Sequence, residues 1–271
     1  MHNWTWQPWQ GKSYLTCDLI PQPHGFFTSA FDPQLPEDLT PALRPGAEVL
    51  RTKQVHGNIV LSPADIRAGT KSLVASGAAT PSTNQVQYPH GDGCFSTQAG
   101  QATWVCTADC TPALIADVRT GQVAAAHAGW RGTAEKIVPV AIAQLQAQGS
   151  QLKDLRVLLG PAIAGDVYQV GEDVAATIGQ SVVNDNQQFA NPTDIIPHLL
   201  NQEHPPLLPD SQPGHVRLDV RRINHIQLQQ LGLSPSQIAI APHCTYQEPE
   251  RFFSYRRTHL KQIQWSGIVS V

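Results

Sequence analysis

The 271-residue sequence has no apolar run near the roughly 20 residues that a membrane-crossing helix needs, so a helical membrane span is excluded. Charge is also scarce: Asp, Glu, Lys and Arg make up 14% of the chain and the net charge is −3. That leaves no broad electrostatic case for nucleic acid or an anionic membrane, and a small-molecule partner is expected instead. The opening MHNWTWQPWQGK has no basic leader followed by an apolar stretch, and the five cysteines are an odd number. Both features point to a reducing, cytoplasmic setting, and the protein is expected to be a monomer. Cys106 and Cys110 form a CxxxC, too widely spaced on an extended strand to bridge, and the spacing of a CxxC…CxxC structural zinc clip is missing. No repeat or low-complexity tract occurs; 22 prolines and 20 glycines punctuate many short elements.

What is present centres on residues 107–138, TADCTPALIADVRTGQVAAAHAGWRGTAEKIV. Residues 112–118 and 122–127 are apolar runs of strand length around Arg119, Thr120 and Gly121, which carry turn chemistry, so an antiparallel hairpin is expected. With the turn centred near 119 and 120, His127 lies across from Pro112, two residues along from Cys110. Diagonal neighbours of that kind share a face roughly 7–8 Å apart at the backbone, and their side chains can converge on one ion. A slip by one residue would separate them. His56, at the break His56-Gly57 between two apolar runs, is the third expected ligand.

Two imidazoles and one thiolate leave zinc an open fourth position, the pattern of a catalytic site; a thiolate also suits Cu(I). A solvated histidine and a small buried cysteine are the plainer readings of each residue taken alone. Asp109, beside Cys110, points away from it on an extended backbone and is expected to fix the loop or a ligand's second ring nitrogen. Asp92 is either a second such carboxylate or a turn aspartate between Gly91 and Gly93. Arg131 is expected at a helix start, where its fork can hold an anion. Cys110, His127, Asp109 and Arg131 are thus the candidate catalytic residues. Arg256 and Arg257 are read as meeting a phosphate or a surface carboxylate.

Elsewhere, HGFFTSAF (24–31), residues 102–107, 155–163 and 236–245 are expected strands, and 133–148 and 220–231 expected helices. Pro139 is expected to kink the first helix or mark its first turn, with Asp219 capping the second and Gly232 stopping it. A helix is expected to begin within 168–182, a long proline-rich excursion with a short helix at 194–201 is expected over 190–214, and 64–90 reads as a loop or weak helix followed by a loop. One α/β domain spanning 1–271, with mixed strand pairing, is the simplest architecture.

The segments KQVHG (53–57), TADCTPALIAD (107–117), HAGWRGT (127–133), GPAI (160–163) with YQVGEDV (168–174), and FFSYRR (252–257) resemble, in order, the motifs of the laccase-domain family, also called multicopper polyphenol oxidase or purine nucleoside phosphorylase-like proteins. The resemblance covers about His24 to Arg257. It implies layered mixed β-sheets flanked by helices, and a zinc site from His56, Cys110 and His127. It also implies action on purine nucleosides: phosphorolysis of adenosine, inosine, guanosine and methylthioadenosine, or adenosine deamination. Copper-dependent phenol oxidation and peptidoglycan precursor editing are activities also attached to the family, but no His-x-His pair is present to build paired copper clusters. A non-enzymatic protein with a structural metal is the remaining alternative. Ser29 and Ala30 stand after HGFFT where the family has an arginine and then a glycine pair, a departure that weighs against phosphorolysis.

Overall fold

The computed structural model describes residues 2–75, 86–183, 189 and 191–271. The expected loop after residue 75 lies partly outside the described residues, since 76–85 are not among them. Two six-stranded sheets form the body. One runs Trp4–Trp9, Lys12–Cys17, His24–Phe27, Gln264–Val269, Gln101–Thr107, Glu48–Leu50 in spatial order, and the other Ile238–Ile240, Leu155–Leu159, Thr111–Asp117, Val123–Ala128, Gly93–Phe95, Val60–Leu61. Pairing is mixed: most neighbours are antiparallel, while Glu48–Leu50 beside Gln101–Thr107, Ile238–Ile240 beside Leu155–Leu159 and Val60–Leu61 beside Gly93–Phe95 are parallel. A small third sheet joins Gln169–Gly171, His215–Leu218 and Leu207–Pro209.

The strands Thr111–Asp117 and Val123–Ala128 are buried at every position, which explains why their sequences read as continuous apolar runs rather than as alternation. Leu114, Ala116, Val123 and Ala125 face the first sheet, where they pack with Leu15, Phe26, Val105 and Ile268. Ala113, Ile115, Ala124 and Ala126 face the other way, onto Ile137, Ala141, Ile142 and Leu145 of the helix Ile137–Ala147 and Leu228 of the helix Val220–Leu231. Outside the first sheet, Leu39 of the helix Pro36–Leu43 closes on Phe27, Phe31 and Trp104. The result is helix, sheet, sheet, helix: layered mixed sheets in a single α/β domain. No helix of the described residues is long and apolar enough to cross a membrane.

Local chemistry accounts for the element ends. The Asp117 carboxylate accepts the backbone N–H groups of Arg119 and Thr120 at 2.8 and 2.9 Å, closing the hairpin turn. Asp219 accepts from the Arg222 N–H at 3.0 Å, and Gly232 takes a left-handed conformation at the other end. The segment read as one helix over 133–148 is instead two, Trp130–Ala134 and Ile137–Ala147, separated at Lys136 (φ 59°, ψ 44°). Pro139 has no N–H to give and would clash with the carbonyl four residues back, so it sits in the first turn of a helix that starts afresh. After 168, a strand Gln169–Gly171 precedes the helix Glu172–Gly179, which therefore begins later than the earliest expected point. The excursion over 190–214 holds the expected short helix, Ile195–Leu200, and also a strand, Leu207–Pro209. The weak helix after residue 63 is Pro63–Ala75.

Candidate metal centre

The hairpin has the expected register, with Pro112 opposite His127 and Thr111 opposite Ala128. Cys110 therefore sits one residue before its strand, beside the end from which His127 points. His56 arrives from a separate loop in a left-handed conformation, φ 66°, which few residues other than glycine adopt. Ligand atoms from His56, Cys110 and His127 all lie within 4.8 Å of one another. The two imidazoles meet edge to face with ring centroids 4.8 Å apart. His127 is buried, Cys110 half-buried and His56 exposed, so the cluster is closed on the protein side and open toward solvent.

Asp92 organises this convergence. It is fully buried, and its carboxylate accepts the backbone N–H groups of Val55 (3.1 Å), His56 (2.8 Å) and Gly57 (2.8 Å). Three amides aimed at one anion hold the His56 loop in its unusual turn. The same carboxylate lies 2.9 Å from His127 Nδ1. Burial alone would raise the Asp92 pKa, but the His127 and amide hydrogen bonds outweigh it and hold the carboxyl below its usual range. An ionised carboxylate has no proton to donate, so Nδ1–H is the donor and Nε2 is left facing the cluster. Of the two sequence readings of Asp92, the partner of a second ring nitrogen is the one this geometry matches.

The thiol and the buried imidazole perturb each other. Burial would raise the Cys110 pKa, yet the charge of His127 and hydrogen bonds from His127 and His56 bring it below the ordinary thiol value. Burial would lower that of His127, yet the Cys110 charge and the Asp92 bond raise it. Gly129 makes room: a Cβ there would stand 2.9 Å from Cys110 Sγ and 3.4 Å from His56 Cδ2. Gln54, within the KQVHG segment, clamps the neighbouring strand by accepting from Cys106 N and donating to Cys106 O, both at 2.8 Å. Its role was not singled out from sequence, where an amide two residues before a histidine carries no signal of its own. All five cysteines are free.

Asp109 has φ 93°, so the backbone is not extended there, and its carboxylate accepts from Thr245 Oγ1 and Arg256 N, both at 2.7 Å. It fixes the loop carrying Cys110 and leaves the ring nitrogen to Asp92. Arg131 is exposed, with its guanidinium 4.3 Å from the Trp130 ring centroid. Arg256 lies 4.7 Å from the Tyr168 ring centroid and donates from Nη1 to Gln169 O at 2.7 Å. Arg257 instead spends donors of its guanidinium on the carbonyls of Thr245, Tyr246 and Phe252, a structural tie, and among the described residues it pairs with no carboxylate. Tyr168, unremarked in sequence, has its pKa pushed up to about 12, by burial first and then by the nearby Cys110 charge; Arg256, Asp109 and Arg131 also act on it. Ser29 donates its N–H to Arg251 O at 2.8 Å in the short turn Ser29–Phe31.

Residues 38–267 match the model of the multi-copper polyphenol oxidoreductase laccase family. The chain is similar to the purine nucleoside phosphorylase slr1573 of Synechocystis sp., with 52% identity over 268 residues, 98% of this chain and 97% of that one. It is 33% identical over 206 residues to the purine nucleoside phosphorylase YlmD of Geobacillus stearothermophilus, covering 76% of this chain and 65% of that one. With the adenosine deaminase RL5 of an unknown prokaryotic organism it shares 29% identity over 166 residues, 61% of this chain and 56% of that one. The crystal structure of YlmD from Geobacillus stearothermophilus superposes with a TM-score of 0.73 at 24% identity over 98% of each chain, a likeness of fold.

Proposed function

The chain belongs to the multi-copper polyphenol oxidoreductase laccase family, and we propose that within it this protein is a zinc-dependent enzyme that cleaves purine nucleosides by phosphorolysis. The observation that carries this reading is the convergence of His56 and His127 nitrogens and the Cys110 sulfur on one open-sided point. Around a tetrahedral zinc ion such donors stand about 3.3–3.6 Å apart, close enough to the 4.8 Å limit here that small side-chain rotations complete the set. One thiolate and two imidazoles suit zinc, and Cu(I) shares their softness. Bound there, the metal would supply Lewis acidity to place the phosphate, or to activate hydroxide in the deaminase reading.

The rest belongs to the chain. Asp92 keeps His127 in the tautomer whose Nε2 faces the cluster, and holds the His56 loop by its backbone. Asp109 is assigned a positioning role through Thr245 and Arg256, and Arg131 steadies negative charge on the substrate. Val55 and Ile59, largely exposed on either side of His56, give apolar contact to the purine. In the reaction a phosphate oxygen bonds to ribose C1′ as the C1′–N9 bond breaks. The bonding pair leaves with the base, which takes up a proton, and ribose 1-phosphate and free purine result.

Adenosine deamination is the second reading, favoured by the likeness to a protein named adenosine deaminase. Phenol oxidation by several coppers finds less support, because among the described residues one donor cluster is found. We place the protein in the cytoplasm as a monomer, with residues 1–271 forming one functional unit. The test is chromatography of reaction mixtures containing metal-loaded protein with adenosine, inosine, guanosine or methylthioadenosine, each with and without phosphate. Base release that needs phosphate and disappears in Cys110→Ser is expected. A fully loaded, folded protein that turns over none of them would sink the proposal.

A further inference from the structure

Most arginines of this chain are already committed. Arg51, Arg67, Arg119, Arg217 and Arg251 pair with carboxylates, and Arg44, Arg156, Arg221 and Arg257 are anchored on backbone carbonyls. Arg131 and Arg256 combine two features that the others do not, although Arg256 also donates one Nη to a backbone carbonyl, that of Gln169. Among the described residues neither makes an ion pair with a carboxylate, and each guanidinium is laid on an aromatic ring, Arg131 on Trp130 and Arg256 on Tyr168. Stacking restrains a guanidinium while leaving its in-plane N–H donors for another partner.

Both pairs flank the cysteine of the cluster. Trp130 and Arg131 follow Gly129, whose Cβ position is 2.9 Å from Cys110 Sγ. Arg256 is tied through its backbone N–H to the carboxylate of Asp109, the residue before Cys110. Trp130 and Tyr168 pack against the same apolar cluster, so the two rings belong to one wall.

We propose that Arg131 and Arg256, presented on Trp130 and Tyr168, form a two-arginine subsite beside the His56–Cys110–His127 cluster that binds inorganic phosphate as a co-substrate. This deepens the phosphorolysis reading and rests on it. It also supplies, from other elements, the cation that Ser29 does not. A tetrahedral dianion matches paired guanidinium forks, and Arg256, with one Nη spent on Gln169 O, keeps further donors for it.

The experiment is calorimetric titration of the metal-loaded protein with inorganic phosphate, alongside adenosine 5′-monophosphate as the esterified alternative, with thermal unfolding as a check on folding. Saturable phosphate binding by the wild type is expected, weakened about tenfold or more by Arg131→Met and again by Arg256→Met. Arg67→Met, which removes a cation paired with Glu48, is expected to leave it unchanged. Arg131 is exposed, and among the described residues its guanidinium makes no ion pair, so its variant remains informative if Arg256→Met fails to fold. Phosphate binding that survives Arg131→Met at full strength, no phosphate binding by the wild type, or binding of the monophosphate alone would each overturn the subsite. Phosphate binding that depends on both arginines in a protein that cleaves no nucleoside would uphold the subsite and overturn the nucleoside reading.

Discussion

At the scale of single residues, Asp92 does more than any ligand to shape the centre. One buried carboxylate receives three backbone amides and an imidazole, so its negative charge sets the His56 turn and the His127 tautomer together. Asp92→Asn is expected to weaken zinc binding about 10–100-fold, since an amide accepts fewer of these bonds and can present an N–H to Nδ1. Competition with a chromogenic chelator measures it; unchanged affinity would remove Asp92 from this role. Protons should compete with the metal in a defined sense. The Cys110 thiol lies below its usual value and the His127 imidazole above it, so between those two pKa values the metal-free pair is thiolate and imidazolium. Binding there must expel the His127 proton, and below the lowered thiol pKa a second proton as well. Zinc affinity should therefore fall as pH falls, more steeply at the acid end. Proton release in weakly buffered titrations, about one per zinc within the window, checks the sign.

At the scale of elements, the hairpin was the most legible part of the chain. Its turn residues and two apolar runs imply the register, and Pro112 does stand opposite His127. Asp219 and Gly232 likewise mark the ends of the helix Val220–Leu231. The break at Lys136 was harder to read, because the apolar spacing continues through it and only Pro139 signals that the carbonyl ladder cannot. Asp219→Ala should cost about 1 kcal/mol in urea unfolding, the usual worth of such a cap, with metal binding unaffected. Gly129→Ala tests how closely the strand end approaches the cluster. A Cβ 2.9 Å from Cys110 Sγ must push the sulfur or the strand aside, so loss of metal with the fold retained by circular dichroism is expected.

At the scale of the whole molecule, the apolar cores and the candidate metal ligands occupy different places. Leu158 is fully buried between the two large sheets, and Leu158→Ala should destabilise the protein by about 2–5 kcal/mol without altering the donor set. Chelation should do the reverse. It lowers the unfolding temperature through lost binding energy, yet leaves the sheets formed, since the layers are built from hydrophobic packing that the metal does not share. Collapse of secondary structure on chelation would mean that the metal is structural.

By itself the sequence determined which residues are the candidate ligands. Histidines beside a glycine or at a strand end and a cysteine before an apolar run mark the ligand candidates, because strand periodicity and turn chemistry are local and act over a few residues. Only the tertiary structure decided which carboxylate serves them. Asp109 adjoins Cys110 in the chain, whereas Asp92 lies between two glycines and far from His127. The left-handed backbone at Asp109 turns its carboxylate to Thr245 and Arg256, while the pairing of Gly93 with Ala126 carries Asp92 to His127. The same holds for Arg131 and Arg256, 125 positions apart, whose place beside one cysteine comes from the packing of distant segments and not from any pattern between neighbours.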